Sequence, residues 1–340
     1  MNYDTRVLAP DGEALQLAAR LFENGELVAF PTETVYGLGA NALDPQAVLR
    51  IFAAKGRPAD NPLIVHVWHE DQLESLCEVT DAARRLMAAF WPGPLTLLLP
   101  RKAAVPDAVT AGLPSVGVRM PSHPVAREML RVCALPIAAP SANLSTRPSP
   151  TTAAHVLEDM NGRIPLILDG GACEVGVEST VLDMTGDVPT VLRPGAVTPE
   201  MIARAAGSAK VADSVMRPLR EGEAAPSPGM KHKHYAPKGR LTILKGEREA
   251  VIREIIRRYD ESENAVIFAS SGNLPAYGNR RTMDMGPDLS AAAHNLFAML
   301  RRADDEGIGR LFAEAVPDGG VGLAVMNRMA RAAGFDIEEV

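Results

Sequence analysis

The sequence is poor in cysteine and in aromatic residues, and it has no long apolar run. Its three cysteines, Cys77, Cys133 and Cys173, are too few and too scattered for a disulfide framework or a thiolate zinc site. Aromatic residues make up only 4%, which leaves few platforms for stacking nucleic-acid bases. No stretch approaches the roughly 18–20 consecutive apolar residues that span a bilayer. Met1-Asn2-Tyr3-Asp4-Thr5-Arg6 lacks the basic-then-apolar layout of a signal peptide. The expectation is a cytoplasmic protein with no membrane role. Also missing are the G-x-x-x-x-G-K-[ST] phosphate loop, the G-x-S-x-G nucleophile elbow, an H-E-x-x-H helix and any C-x-x-C pair. Their absence argues against P-loop nucleotidases, serine hydrolases and zincins.

What remains is ordinary in bulk: 340 residues, 46% hydrophobic and 23% charged, with a net charge of −7. That composition fits a soluble globular chain with room for two domains, each with its own core. The charge is uneven. Residues 217–240 hold 6 basic and 2 acidic side chains, a net of +4, between two acidic regions. A cationic connection can touch a polyanion, or it can be a solvated linker.

The N-terminal part alternates helix and strand signals. Ala14, Leu15, Leu17, Ala18, Leu21 and Phe22 form a helical stripe before Gly25, and Pro45 suits the first turn of a helix running to about Lys55. Strands are expected at 27–30, 63–67, 95–99, 116–120, 137–139, 166–168, 180–184 and 190–193, and helices near 81–90, 122–132, 152–159 and 198–206. Such alternation predicts an α/β domain around one large sheet. Periodicity fades over 208–240. It restarts as strand 241–244, helix 247–258, strand 265–269, helix 288–303, strand 311–315 and helix 321–333, a compact βαβ-type unit with a small parallel sheet. The expected division is 1–207, a linker over 208–240, and 241–340.

Several motifs point to anion chemistry. Gly37-Leu38-Gly39-Ala40-Asn41-Ala42 matches a relaxed dinucleotide fingerprint, but the next helix signal waits until Pro45, so it is not read as one. His232 and His234 lack an evident third metal ligand and are flanked by lysines. Pro31-Thr32-Glu33-Thr34-Val35-Tyr36-Gly37-Leu38 sets hydroxyls after a buried strand, where α/β proteins bind ligands. Lys55 and Arg57, beside Gly56 and Pro58, either clamp phosphate oxygens or complement a helix dipole. Arg119 and Arg193 each end an apolar strand, where burial demands an anionic partner. Pro140-Ser141-Ala142-Asn143 and Ser149 add hydroxyl-rich loops, and Glu178-Ser179 places polar groups at another strand edge. Together these segments suggest a polyanion-binding cavity lined by strand ends.

The ordered set Pro31–Leu38, Lys55-x-Arg57-Pro58, Asn61-Pro62-Leu63, Gly117-Val118-Arg119, Pro140-Ser141-Ala142-Asn143 and Arg193-Pro194-Gly195 resembles the YrdC-like family over roughly residues 10–205. With the linker motif His232–Pro237 and the C-terminal unit, the whole chain resembles the long, two-domain form of its synthase branch. The resemblance implies a YrdC-like twisted mixed sheet with a deep basic cavity, plus a smaller Rossmann-like C-terminal α/β domain. It implies that L-threonine, bicarbonate and ATP give threonylcarbamoyl-AMP and pyrophosphate, with other proteins completing the threonylcarbamoyladenosine modification of tRNA. Lys55 and Arg57 would be catalytic. Lys55, Arg57, Asn61, Ser115, Ser141, Asn143, Ser149, Arg193 and Tyr235 would contact ATP. Thr34, His66, Arg119, Ala139 (through its backbone) and Ser179 would hold threonine or its carbamate, with Thr32 a pocket neighbour. Ser115 stands where the family commonly has Thr, and the hydroxyl is kept. Mg2+ would be carried with ATP, and the linker would close over the cavity as a lid. The nucleophile belongs to the substrate, so no Ser-His or Cys-His machinery is needed. An RNA-binding module without synthase activity is the alternative, disfavoured by the acidic charge and scarce aromatics. A carbamoyl-transfer enzyme is disfavoured by the missing C-x-x-C.

Overall fold

The computed structural model describes residues 3–218 and 235–340. In the short central strands nearly every side chain is apolar, because both faces of the sheet are covered. Val28 and Phe30 enter one buried cluster with Phe22, Met129 and Leu130, while Leu27 and Ala29 between them enter another with Leu38, Ile51 and Val65. The same period-two division separates Leu166 and Leu168 from Ile167.

The first sheet has eleven strands: β1 (Arg6–Leu8), β2 (Val28–Phe30), β3 (Gly37–Asn41), β4 (Ile64–His66), β5 (Leu95–Pro100), β6 (Ser115–Arg119), β7 (Ile137–Ala138), β8 (Leu166–Leu168), β9 (Thr180–Asp183), β10 (Thr190–Arg193) and β11 (Lys210–Val211). Their spatial order is β1-β8-β2-β3-β7-β4-β6-β5-β9-β10-β11, with parallel and antiparallel pairs mixed. The second sheet has β12 (Arg240–Lys245), β13 (Ala265–Ser270), β14 (Thr282–Gly286), β15 (Arg310–Glu314) and β16 (Ile337–Glu339) in the order β14-β13-β15-β12-β16. All its pairs are parallel, as a Rossmann-like unit requires. Among the described residues no helix is long and apolar enough to cross a membrane.

The Pro45–Lys55 helix has the expected limits: Asp44 caps its start by accepting from the Gln46 N–H, and Gly56 ends it in the left-handed region at φ +60°. The strand β3 was not among the expected strands, because its glycine-rich sequence carries little strand signal. Gly39 is required there by close packing: a Cβ would lie 2.8 Å from Ile137 Cγ2 and 2.9 Å from Phe30 Cε1. The edge strands β1, β11, β14 and β16 were also not expected, since short, partly polar edges carry little periodic signal. The pairing of β11 with β10 carries the first sheet to Val211, beyond residue 207.

The two sheets meet across a seam of apolar and ionic contacts. Val35 and Val177 of the first domain share a buried cluster with Phe297, Leu300 and Val325 of the second. Gly176, at φ +79°, lies against the helix Leu289–Asp305 so closely that a Cβ would meet His294 Cα at 2.4 Å. Arg301 on that helix pairs with the buried Asp159 at 2.7 Å. Arg328, on the helix Val321–Ala332, pairs with Glu178 at 2.9 Å.

Candidate functional site

A cleft opens where β3, β4, β6, β7, β9 and β10 end or begin. Its wall includes Thr32, Thr34, Arg57, His66, Arg119, Ala139, Ser141, Asn143, Ser179, Arg193 and Tyr235, all singled out from the sequence. Tyr235 reaches this wall from beyond the first sheet. It is buried, adopts φ +62°, and stacks on Phe297 of the second domain with ring centroids 5.0 Å apart. His232 and His234 lie outside the described residues, as does the rest of the 219–234 stretch of the expected lid.

Lys55, Asn61, Ser115 and Ser149 are not on the wall. Lys55 is buried and turned under the loop: its ammonium donates to the carbonyl oxygens of Ser141 and, at 2.6 Å, of Asn143. Burial, reinforced by nearby Arg57, holds the Lys55 pKa well below its usual value. In this arrangement Lys55 shapes the Ser141–Asn143 loop. Asn61 is buried nearby in sequence, and neither atom of its amide has a hydrogen-bond partner among the described residues. The Ser149 hydroxyl donates to Glu178 Oε1 at 2.6 Å, so it braces the wall from behind. Ser115 begins β6 opposite Pro100.

Arg57 stands 5.7 Å from the Phe52 ring, and its Nε and Nη2 lack hydrogen-bond partners among the described residues. Burial lowers its pKa to about 10, which still leaves it cationic at neutral pH. Arg193 donates to the Ser179 backbone oxygen at 3.1 Å and to its hydroxyl at 3.2 Å. The Ser179 hydroxyl also pairs with Thr96 at 2.8 Å. Burial likewise lowers Arg193 to about 10, opposed by Glu178.

Arg119 does not present an open fork. Its Nη1 donates to Thr34 Oγ1 at 3.0 Å and its Nε to the Gly93 carbonyl at 3.3 Å. Its Nη2 lies 2.7 Å from Glu33 Oε1 in a buried ion pair. Burial pushes the Glu33 carboxyl up, and Arg119 outweighs this, holding it below the usual carboxylate range. His66 is pushed down to about 3 by burial and then by Arg119, so it is a neutral ring with Nδ1 unpartnered among the described residues.

The wall residue to which the sequence assigned no role is Glu178. Its only sequence signal was a carboxylate immediately before an apolar strand. Burial raises its pKa, but Arg328 and Arg193 together hold it low and ionised. Val35, Gly37, Ile64 and Pro140 were also missed as lining residues, because apolar and backbone surfaces leave no chemical signature. Among the described residues no three His, Cys, Asp or Glu side chains gather where they could hold a metal ion.

A cleft at strand ends, lined by three arginines and a loop of hydroxyl and amide groups, defines an α/β enzyme that handles anionic ligands. The family described as "Telomere recombination" matches residues 20–195, and one described as "Threonylcarbamoyl-AMP synthase, C-terminal domain" matches 197–334. The threonylcarbamoyl-AMP synthase of Pyrococcus abyssi is 46% identical over 330 residues, covering 96% of each chain. That of Bacillus subtilis is 47% identical over 329 residues, covering 95% of this chain and 94% of its own. The crystal structure of P. abyssi Sua5 complexed with L-threonine superposes with a TM-score of 0.92 at 43% identity, covering 100% of each chain. The chain belongs to the two-domain Sua5/YrdC-type family of threonylcarbamoyl-AMP synthases.

Proposed function

We propose that this cleft condenses L-threonine, bicarbonate and ATP into threonylcarbamoyl-AMP and pyrophosphate. The observation that carries this reading is the convergence of Arg57, Arg119 and Arg193 with the Ser141–Asn143 loop on one wall. The threonine amine attacks the carbon of bicarbonate-derived carbon dioxide, losing a proton and forming a carbamate. A carbamate oxygen then attacks the α-phosphorus, and the bond to pyrophosphate breaks. This makes the enzyme a nucleotidyltransferase.

The protein supplies alignment and charge rather than a nucleophile. Arg57, with two nitrogens unengaged by the described residues, meets the charge growing on the leaving phosphates. Arg193 and the Ser141–Asn143 loop hold the nucleotide. Arg119 and Thr34 receive the threonine carboxylate, which competes with Glu33 for Nη2. Neutral His66, Ser179 and the Ala139 backbone line the threonine end. Tyr235 closes the wall and limits water access to the labile carbamate. Magnesium enters with the triphosphate as part of the substrate: both oxygens of Glu178 are engaged by Arg328 and Ser149. The product passes in the cytoplasm to proteins that transfer the threonylcarbamoyl group to tRNA.

The test is pyrophosphate release from ATP with threonine, bicarbonate and magnesium omitted one at a time. Release that needs all three is expected. Release indifferent to threonine overturns the assignment. Tyr235→Ala should raise the KM for ATP, and unchanged kinetics would count against its place at the nucleotide.

A further inference from the structure

An ionised carboxylate on the wall of a cleft for a triphosphate is a conflict, and the second domain resolves it. Glu178 lies on the wall, largely buried, and its carboxylate repels phosphate unless a cation faces it. That cation comes from about 150 residues away in the chain. Arg328 is fully buried on the helix Val321–Ala332. Its Nε donates to Glu178 Oε2 at 2.9 Å, its Nη2 to the Glu178 backbone oxygen at 3.2 Å, and its Nη1 to the Pro194 carbonyl at 2.6 Å. It therefore grips the two segments that carry Ser179 and Arg193.

We infer that Arg328 is a positioning residue for ATP: it acts through Glu178, cancelling a negative charge in the nucleotide cleft from the neighbouring domain. The inference rests on the reading of this cleft as an ATP site. It gives the C-terminal domain a specific electrostatic duty in the reaction. Four arguments support it. Arg328 does not line the cleft, so it cannot serve as a direct ligand there. Glu178 is its carboxylate partner, and the bond is directional rather than a loose surface pair. The second Glu178 oxygen accepts from Ser149, so each carboxylate oxygen has a hydrogen-bond partner on the protein side. Finally, without Arg328 the carboxylate would cancel part of the attraction of Arg193, a wall cation among its electrostatic partners.

The experiment is calorimetric titration of the full chain with ATP and with AMP, accompanied by a thermal melt of each variant. Unmodified protein should bind ATP. Arg328→Gln should weaken ATP by about tenfold or more and AMP markedly less, because repulsion scales with ligand charge. Adding Glu178→Gln to that variant should recover most of the lost ATP affinity. Equal losses for ATP and AMP overturn the inference, since a merely structural role predicts them. Should Arg328→Gln not fold, the double variant carries the test, because it buries two amides in place of an unpaired charge. A folded double variant whose ATP binding stays tenfold weaker also overturns it. No ATP binding by the unmodified protein overturns the site reading and the inference together. Binding unchanged in folded Arg328→Gln overturns the inference alone.

Discussion

The two walls of the cleft are built to opposite rules. On the wall from the Pro45–Lys55 helix to β4, side chains carry polar atoms that no described residue satisfies: Arg57 Nε and Nη2, and His66 Nδ1. On the wall from β9 to β10 the described side chains hold one another. Ser179 pairs with Thr96 and Arg193, and Glu178 with Ser149 and Arg328. A buried group kept short of partners lowers stability and is tolerated where a ligand supplies the missing bond. A fully bonded network fixes geometry. The difference implies that the first wall can be altered with loss of chemistry alone, whereas the second loses chemistry and stability together.

The largest effect should come from the first wall. Arg57→Ala is expected to lower kcat/KM for pyrophosphate release by about a thousandfold, near 4 kcal/mol, because charge-assisted contacts to the phosphates disappear. Its melting temperature should hold or rise, since an incompletely paired buried cation is removed. A fall of more than about 3 °C, on the order of 1 kcal/mol, breaks the contrast. Next comes the domain seam. Arg301→Met leaves Asp159 with Arg147 as its remaining cation, and denaturant titration should show a loss of about 3 kcal/mol. ATP affinity of the folded variant should stay within about threefold, since Arg301 does not line the wall.

Ser179→Ala tests the bonded wall. It strips a partner from Thr96 and from Arg193, so stability should fall by about 1–2 kcal/mol and turnover should fall with it. Loss of turnover at unchanged stability would place Ser179 with the ligand-facing group instead. The last effect is a slope, slight near neutral pH and growing with acidity. The unfolded chain protonates His66 near 6.5, but the folded chain does so only near 3. The unfolded state therefore binds more protons between these values, and stability drops by up to about 1.4 kcal/mol per unit as pH falls through that window. Urea titrations of His66→Gln should show a flatter acid limb, and an unchanged one would mean that the ring is charged when folded.

Much of this site was legible because strand ends advertise themselves. Arg119 and Arg193 close apolar runs, and the Ser141–Asn143 loop follows another, so their convergence could be read from pattern and resemblance. What was not legible depends on direction and distance. Lys55 belongs to the same short motif as Arg57, yet it points under the loop while Arg57 faces the cleft. No local rule separates residues two apart at the end of a helix. The pairing of Glu33 with Arg119 and that of Glu178 with Arg328 span long stretches of chain, and composition carries no trace of such partners. The strand β3 was hidden for another reason: its glycines are there for tight packing, and they carry little strand signal.

The separation of Glu178 from Arg328 also sets an order of events during synthesis. Ribosomes add about 5–20 residues each second, so roughly 8 to 30 s pass between the appearance of the two side chains. If the first sheet folds as it emerges, its cleft spends that interval with Glu178 lacking its Arg328 partner. On the inference drawn above, the nascent chain then binds ATP less well until the helix Val321–Ala332 docks.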